Sequence, residues 1–214
     1  RHVLDVGGVL EDFRSLVQFQ VAETRFLSKE FDEAAKEYKR YVELFPTTSE
    51  AGKAYFYAGW SEFNLKEYDS AIETLEGMLA AYPEGRYAPD SQFRIASALF
   101  EKGRYEDTVE QAQIVLDKYP NSPVIAQAVY LKANAFDKMA RDTEAITAYR
   151  DVRDLYDRMF ELLRGSFREG KNVDFENYRQ LFETSSLRVA EIFRKTNQFE
   201  EAIKDLDRAM ELNP

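Results

Sequence analysis

The sequence predicts an all-α protein, an α-α superhelix of about five helical hairpins. Ala, Leu, Glu, Lys and Arg recur at helical spacing along almost all of the 214 residues. Six prolines and nine glycines are too few for a protein rich in strands and turns. Pro46, Pro83 and Pro120 fall 37 residues apart, so one unit recurs along the chain.

Each repeat is defined by four rows in register. Small residues stand at Ala22, Gly59, Ala96 and Ala133, and a second row at Ala34, Ala71, Thr108 and Ala145. Between them, three residues before the second row, come Phe31, Tyr68, Tyr105 and Asp142, and the prolines close the unit. The first small residue marks where helix A crosses its partner closely, and the second marks the same crossing on helix B. The aromatic opens helix B and fills the turn. Proline ends helix B because it lacks an N–H and disfavours helical geometry at the preceding residue.

Helix A should then start on Thr47-x-x-Glu50, a capping box, and on Asn121-Ser122-Pro123, a cap followed by proline in the first turn. A fifth unit carries Ala190, Phe199, Ala202 and Pro214, but lies 57 residues after the fourth. About 20 residues are therefore inserted between Asp157 and Tyr178, and helix B of the fourth repeat should run on into them. The expected organisation is an extension at 1–10, hairpins at 11–46, 47–83, 84–120 and 121–157, an insertion at 158–177 and a last hairpin at 178–214. Ten helices follow, with the B helices starting near Asp32, Asp69, Glu106, Thr143 and Glu200.

Gly59, Tyr68, Ala71 and Pro83 match the tetratricopeptide pattern of small residue, aromatic, alanine and proline, and the resemblance covers nearly the whole chain. The fourth repeat departs from it, with Asp142 for the aromatic and Asp157 for the proline. The usual period is 34. The three extra residues fall after each proline and should add about one turn to the start of helix A. Tyr82-Pro83-Glu84-Gly85 and Tyr119-Pro120-Asn121-Ser122, each before an Ala-rich helix, resemble the long repeats of bacterial envelope proteins similar to BamD and YbgF. The resemblance implies a scaffold that holds a protein or peptide in a concave groove, in a periplasmic or envelope assembly rather than the cytoplasm.

Helix A carries an aromatic stripe: Phe19, Ala22, Phe26; Phe56, Gly59, Phe63; Phe93, Ala96, Phe100. Such stripes belong to cores. The next stripe round the helix is mixed: Gln20, Glu23, Leu27; Tyr57, Trp60, Asn64; Arg94, Ser97, Glu101; Leu131, Asn134, Lys138. The resemblance implies that this face lines the groove, and Trp, Tyr and Arg dominate protein-binding hot spots. The candidate protein-binding residues are Tyr57, Trp60, Asn64, Arg94, Ser97, Asn134 and Lys138, the alternative being an ordinary solvated face. Repeat one has Phe19 and Glu23 where chaperone-tail-binding relatives have a Lys and Asn clamp, which disfavours that ligand.

The insertion is locally basic, with Arg158, Arg164, Arg168 and Lys171 among Met159, Phe160, Leu162, Leu163, Phe167 and Phe175. It reads either as an extended helical hairpin packed on the solenoid or as a partner-contacting elaboration. Gly7, Gly8 and Gly165 read as punctuation at helix ends.

Charge and composition exclude other classes. A net charge of −10 repels phosphate backbones, so nucleic acid is not an expected partner. The absence of cysteine and a single histidine, His2, leave no thiolate or imidazole site for a metal or nucleophile. No phosphate loop accompanies the carboxylates, so neither cofactor nor enzymatic activity is expected. No apolar run approaches the roughly 18 residues of a membrane span. The start, Arg1-His2-Val3-Leu4-Asp5, is neither a signal peptide nor an initiator Met, which suggests a piece of a longer protein. Ile203, Leu206 and Met210 form an apolar stripe on the last helix, which a further helix or an end-to-end contact between chains should cover.

Overall fold

The computed structural model describes residues 6–166 and 175–212. All ten elements among them are α-helices: α1 (Val6–Leu27), α2 (Phe31–Leu44), α3 (Ala51–Asn64), α4 (Tyr68–Ala81), α5 (Ala88–Glu101), α6 (Tyr105–Lys118), α7 (Ile125–Lys138), α8 (Asp142–Ser166), α9 (Phe175–Lys195) and α10 (Phe199–Leu212). Odd helices are A helices and even ones B helices. Each B helix starts on its row residue, one position before the expected start. Two compact units result, Arg1–Lys102 with α1–α5 and Gly103–Pro214 with α6–α10.

Every A helix ends in the same way. Lys29, Lys66, Gly103, Ala140 and Asn197 hold φ between 55° and 75°. That left-handed residue turns the following N–H groups back onto the helix: Lys66 donates to the Phe63 carbonyl at 3.0 Å and Glu67 to the Glu62 carbonyl at 3.0 Å. These paired bonds satisfy carbonyls that the helix leaves open. The turn aromatics then meet edge to face, Phe26 with Phe31 at 5.6 Å and Phe63 with Tyr68 at 5.5 Å. In the fourth repeat both rows change together, to Asp137 and Asp142.

The B helices end on an aromatic before proline. Phe45, Tyr82 and Tyr119 take φ of −132°, −134° and −127°, outside the helical region, as a following proline requires. The extra residues of the repeat go into this connector, so helix A is not lengthened: α3, α5 and α7 have 14 residues each, as do α2, α4 and α6. Two consecutive turns fill it, with Gly85 donating to Tyr82 O and Ala88 to Gly85 O, repeated at Thr48/Ala51 and Ser122/Ile125. The expected capping residues lie inside these turns. The N-caps are Glu50 and Val124, without a side-chain cap bond, and Thr48 Oγ1 donates to Phe45 O at 2.9 Å instead.

In the first unit Phe19, Ala22, Tyr38, Tyr41, Ala54 and Ala58 pack α1, α2 and α3 together. Phe56, Leu75, Ile95 and Leu99 join α3, α4 and α5. Gly59 is required at its crossing, because a Cβ there would lie 2.6 Å from Leu75 Cγ. Glu62, buried where other repeats carry Leu99, Phe136 and Phe193, accepts from Lys39 and Ser70 at 2.5 Å each.

In the second unit α8 has 25 residues and α9 has 21, so the inserted residues lengthen a B helix and the A helix after it. Residues 167–174, with Phe167, Arg168 and Lys171, lie outside the described residues. The base of the extension packs on α10: Tyr156 meets Phe182 at 4.7 Å, in a cluster with Ala209. Asp205 on α10 accepts from Arg153 at 2.6 Å and from Arg150 at 2.7 Å on α8, and both Arg153 and Asp205 are buried. Gly7 and Gly8 fall in the first turn of α1 and Gly165 in the last turn of α8.

Candidate functional site

The rings of the first unit form a continuous ladder along its A helices. Tyr57 stacks on Tyr38 at 5.6 Å and on Trp60 at 5.4 Å, and meets Phe26 edge to face at 4.9 Å. Trp60 is half-buried, 5.2 Å from Phe26 and 5.6 Å from Phe56. The mixed stripe therefore has a core side and a surface side. Helical spacing places Tyr57 and Trp60 one turn apart on α3, and the stacking of hairpins brings Arg94 of α5 beside them.

Cations sit over these rings. The Arg94 guanidinium carbon lies 4.4 Å from the Trp60 centroid and 5.6 Å from that of Phe63. Lys53 lies 4.7 Å from the Phe19 centroid and donates to Glu23 at 3.0 Å. Their situations differ. Lys53 has a carboxylate partner, whereas no carboxylate oxygen among the described residues lies within 4.0 Å of the Arg94 nitrogens.

Burial shifts the titration of this region. It lowers the Arg94 pKa, partly opposed by the charge of Asp90 one turn earlier on α5. It raises the Asp90 carboxyl, with Arg94 pulling the other way, and also raises the phenols of Tyr57 and Tyr38. A cation held at a cost in hydration, against a ring and without an ion pair, is suited to receive a carboxylate.

The other candidates are placed as follows. Asn64, exposed, donates to the Trp60 carbonyl at 2.7 Å, and Ser97 to the Phe93 carbonyl at 2.9 Å, so each uses a donor on its own helix. Asn134 and Lys138 belong to the second unit, on α7. Asn134 Oδ1 accepts from the Tyr149 hydroxyl at 2.6 Å, and Lys138 is exposed in the last turn. The structure thus brings Tyr57, Trp60 and Arg94 into one cluster.

Sequence reasoning missed three members of it. Phe26 was assigned to the core stripe, yet touches both Tyr57 and Trp60. Lys53 and Asp90 stand four residues before Tyr57 and Arg94, so extending the mixed stripe back one turn would have found them. Lys53 and Glu23 also line a cleft of about 470 Å³ with Phe19, Gln20, Tyr41 and Glu50, next to the ladder.

The family model YfiO, described as outer membrane lipoprotein, matches residues 53–173, and a tetratricopeptide repeat model matches residues 184–214. No curated protein sequence is significantly similar to the chain. Solved structures share the fold. MamA 41-end from Desulfovibrio magneticus RS-1 is 14% identical with a TM-score of 0.63, over 92% of this chain and 94% of that one. Another MamA structure is 16% identical with a TM-score of 0.65, over 92% and 91%. The tetratricopeptide-like repeats of a kinesin light chain from Podosopora anserina are 15% identical with a TM-score of 0.62, over 93% and 94%. The chain is a tetratricopeptide-repeat protein, an all-α solenoid, and no described helix is long and apolar enough to cross a membrane.

Proposed function

The chain belongs to the YfiO family of outer membrane lipoproteins, and we propose that it is a non-catalytic scaffold of the bacterial envelope that binds a protein or peptide along its A helices. The observation that carries this reading is Arg94, stacked on Trp60 with no carboxylate within 4.0 Å among the described residues. Cation–ring stacking contributes about 0.5–2 kcal/mol. It holds the guanidinium in place, so a partner carboxylate meets a pre-oriented fork. Tyr57 and Trp60 supply rigid area, while Asn64 and Ser97 keep acceptor capacity at the rim. Asn134 and Lys138, on α7, are the candidate contacts of the second unit.

The partner we infer presents an acidic side chain or a terminal carboxylate next to an apolar or aromatic residue. Envelope extract passed over the immobilised chain supplies candidates, and calorimetry with each purified candidate measures affinity. The double variant Trp60→Ala/Arg94→Ala is expected to lose at least about 30-fold, the effect of truncating a hot spot, with its helical content retained. A folded double variant with unchanged affinity for every candidate would rule the ladder out. A second role, self-association, is favoured by the exposure of Ile203 and Met210.

A further inference from the structure

Two B helices carry a tyrosine at the same position of the repeat, and only one of the two hydroxyls is satisfied. Tyr149 on α8 donates to Asn134 Oδ1 on α7 at 2.6 Å. Tyr38 on α2 stands in the row of Tyr149, and Glu23 on α1 stands in the row of Asn134. The rings are set alike. Tyr149 lies 5.8 Å from Tyr130 at 57°, and Tyr38 lies 5.9 Å from Phe19, the counterpart of Tyr130, at 66°. The Tyr38 hydroxyl therefore points towards Glu23 as that of Tyr149 points towards Asn134. Yet it is buried and has no hydrogen-bond partner among the described residues, which costs stability.

Glu23 does not take that bond because other groups hold it. Lys53 Nζ donates to its Oε1 at 3.0 Å, and Gln20 donates to its Oε2 at 3.3 Å. Its charge still reaches Tyr38, where it adds to burial in raising the phenol pKa. Asn134 spans the same pair of helices with a side chain one methylene shorter, so Glu23 has the reach. Lys53 itself lies 4.7 Å from the Phe19 centroid and 5.8 Å from that of Tyr57. It repeats the arrangement of Arg94 on Trp60, except that a carboxylate of the chain occupies it. From Lys53 to Tyr57, Trp60 and Arg94 the steps are 5.8, 5.4 and 4.4 Å. About five extended residues cover that distance, with the first, third and fifth side chains on one side.

We propose that Glu23 masks a second carboxylate-receiving cation: a partner carboxylate replaces it on Lys53, and Glu23 turns to the Tyr38 hydroxyl. This rests on the reading of Arg94 given above. The exchange keeps the number of ion pairs and adds one hydrogen bond to a buried donor, so satisfying Tyr38 drives it. Asp12 and Glu50 line the adjoining cleft and oppose a further acid, so Lys53 receives a single carboxylate. The occupant is an acidic segment of a partner protein. One carboxylate meets Lys53, a second meets Arg94, and an apolar or aromatic residue between them covers Tyr57 and Trp60.

Denaturant unfolding of the full chain tests the exchange without a partner. Tyr38→Phe removes the orphaned hydroxyl and should raise the midpoint of the wild type. Lys53→Ala releases Glu23 onto Tyr38, so in that background Tyr38→Phe should lower the midpoint instead. Equal shifts in both backgrounds overturn the exchange. If Lys53→Ala lowers helicity, Lys53→Met, which keeps a stem on the Phe19 ring, replaces it. Calorimetry with the capped peptide Gly-Glu-Ala-Phe-Ala-Glu-Gly tests the binding. Lys53→Ala and Arg94→Ala should each weaken it by about tenfold or more. Tyr38→Phe, buried out of the peptide's reach, should weaken it by about tenfold, the worth of a hydrogen bond to a charged group. That effect should vanish in Glu23→Ala. Binding that needs Arg94 yet is unchanged by Lys53→Ala and Tyr38→Phe overturns this inference and leaves the reading of Arg94 standing. Binding that Arg94→Ala leaves unchanged overturns that reading, and a peptide that does not bind the wild type overturns both.

Discussion

Arg94 lies over Trp60 with 4.4 Å between guanidinium carbon and ring centroid, and burial lowers its pKa, partly opposed by the charge of Asp90. Arg94→Ala is therefore expected to weaken acidic partners by about tenfold or more. Arg94→Lys should restore little of this, because an ammonium neither stacks flat nor binds a carboxylate in a fork. Calorimetry at two salt concentrations checks both. Full recovery with lysine would show that charge alone matters.

Asp90 opposes the same site. Its carboxyl sits above the ordinary aspartate value of 3.8, because burial outweighs the attraction of Arg94. A carboxyl with a raised folded pKa binds more protons when folded, so its ionisation destabilises the fold as pH rises from the unfolded value through the folded one. Asp90→Asn is expected to stabilise the protein at pH 7, to leave stability near pH 3 little changed, and to tighten binding of an acidic partner. Urea titrations at both pH values measure the first two effects. A less stable variant at pH 7 would contradict the assignment.

At the helix A ends, Lys66 holds φ 63° and Ala140 φ 55°, where the equivalent third-repeat residue is Gly103. A side chain at this position is strained and glycine is not. Lys66→Gly and Ala140→Gly should each raise stability by about 0.5–1 kcal/mol, after the entropy that glycine adds to the unfolded chain. Thermal melts with the two changes combined would show about twice the single shift, since distant sites add.

Among the described residues, Asp205 is the acceptor that Arg150 and Arg153 share, and Arg153 is buried. Asp205→Ala leaves Arg153 charged and unpaired, and should cost about 3–5 kcal/mol. Lys36→Ala, which removes an exposed pair with Asp32 on α2, should cost far less, because solvent screens the pair. Denaturant unfolding of both variants compares them directly.

The repeat was legible because it rests on spacing: Pro46, Pro83 and Pro120 fix the ends of the B helices, and the row from Phe31 to Phe199 fixes their starts. The connectors were not, because Thr47 and Asn121 look like caps while aromatics ahead of proline decide the local geometry. The left-handed turn was hidden by identity, as only Gly103 of that row is a glycine. Tyr57, Trp60 and Arg94 were legible as residue types on one stripe. Phe26 was not, because its aromatic stripe contains buried members such as Phe19 and Phe56. Asp205 gave no signal, since its partners lie 52 and 55 residues away.

Trp60 is the only tryptophan in the chain, so its fluorescence reports the ladder alone. A tryptophan-free partner titrated into the protein is expected to shift or quench the emission in a saturable way, with the dissociation constant found by calorimetry. Arg94→Ala should move that curve to higher concentration. A partner that binds by calorimetry yet leaves Trp60 emission unchanged at saturation would show that it docks elsewhere and would contradict the account.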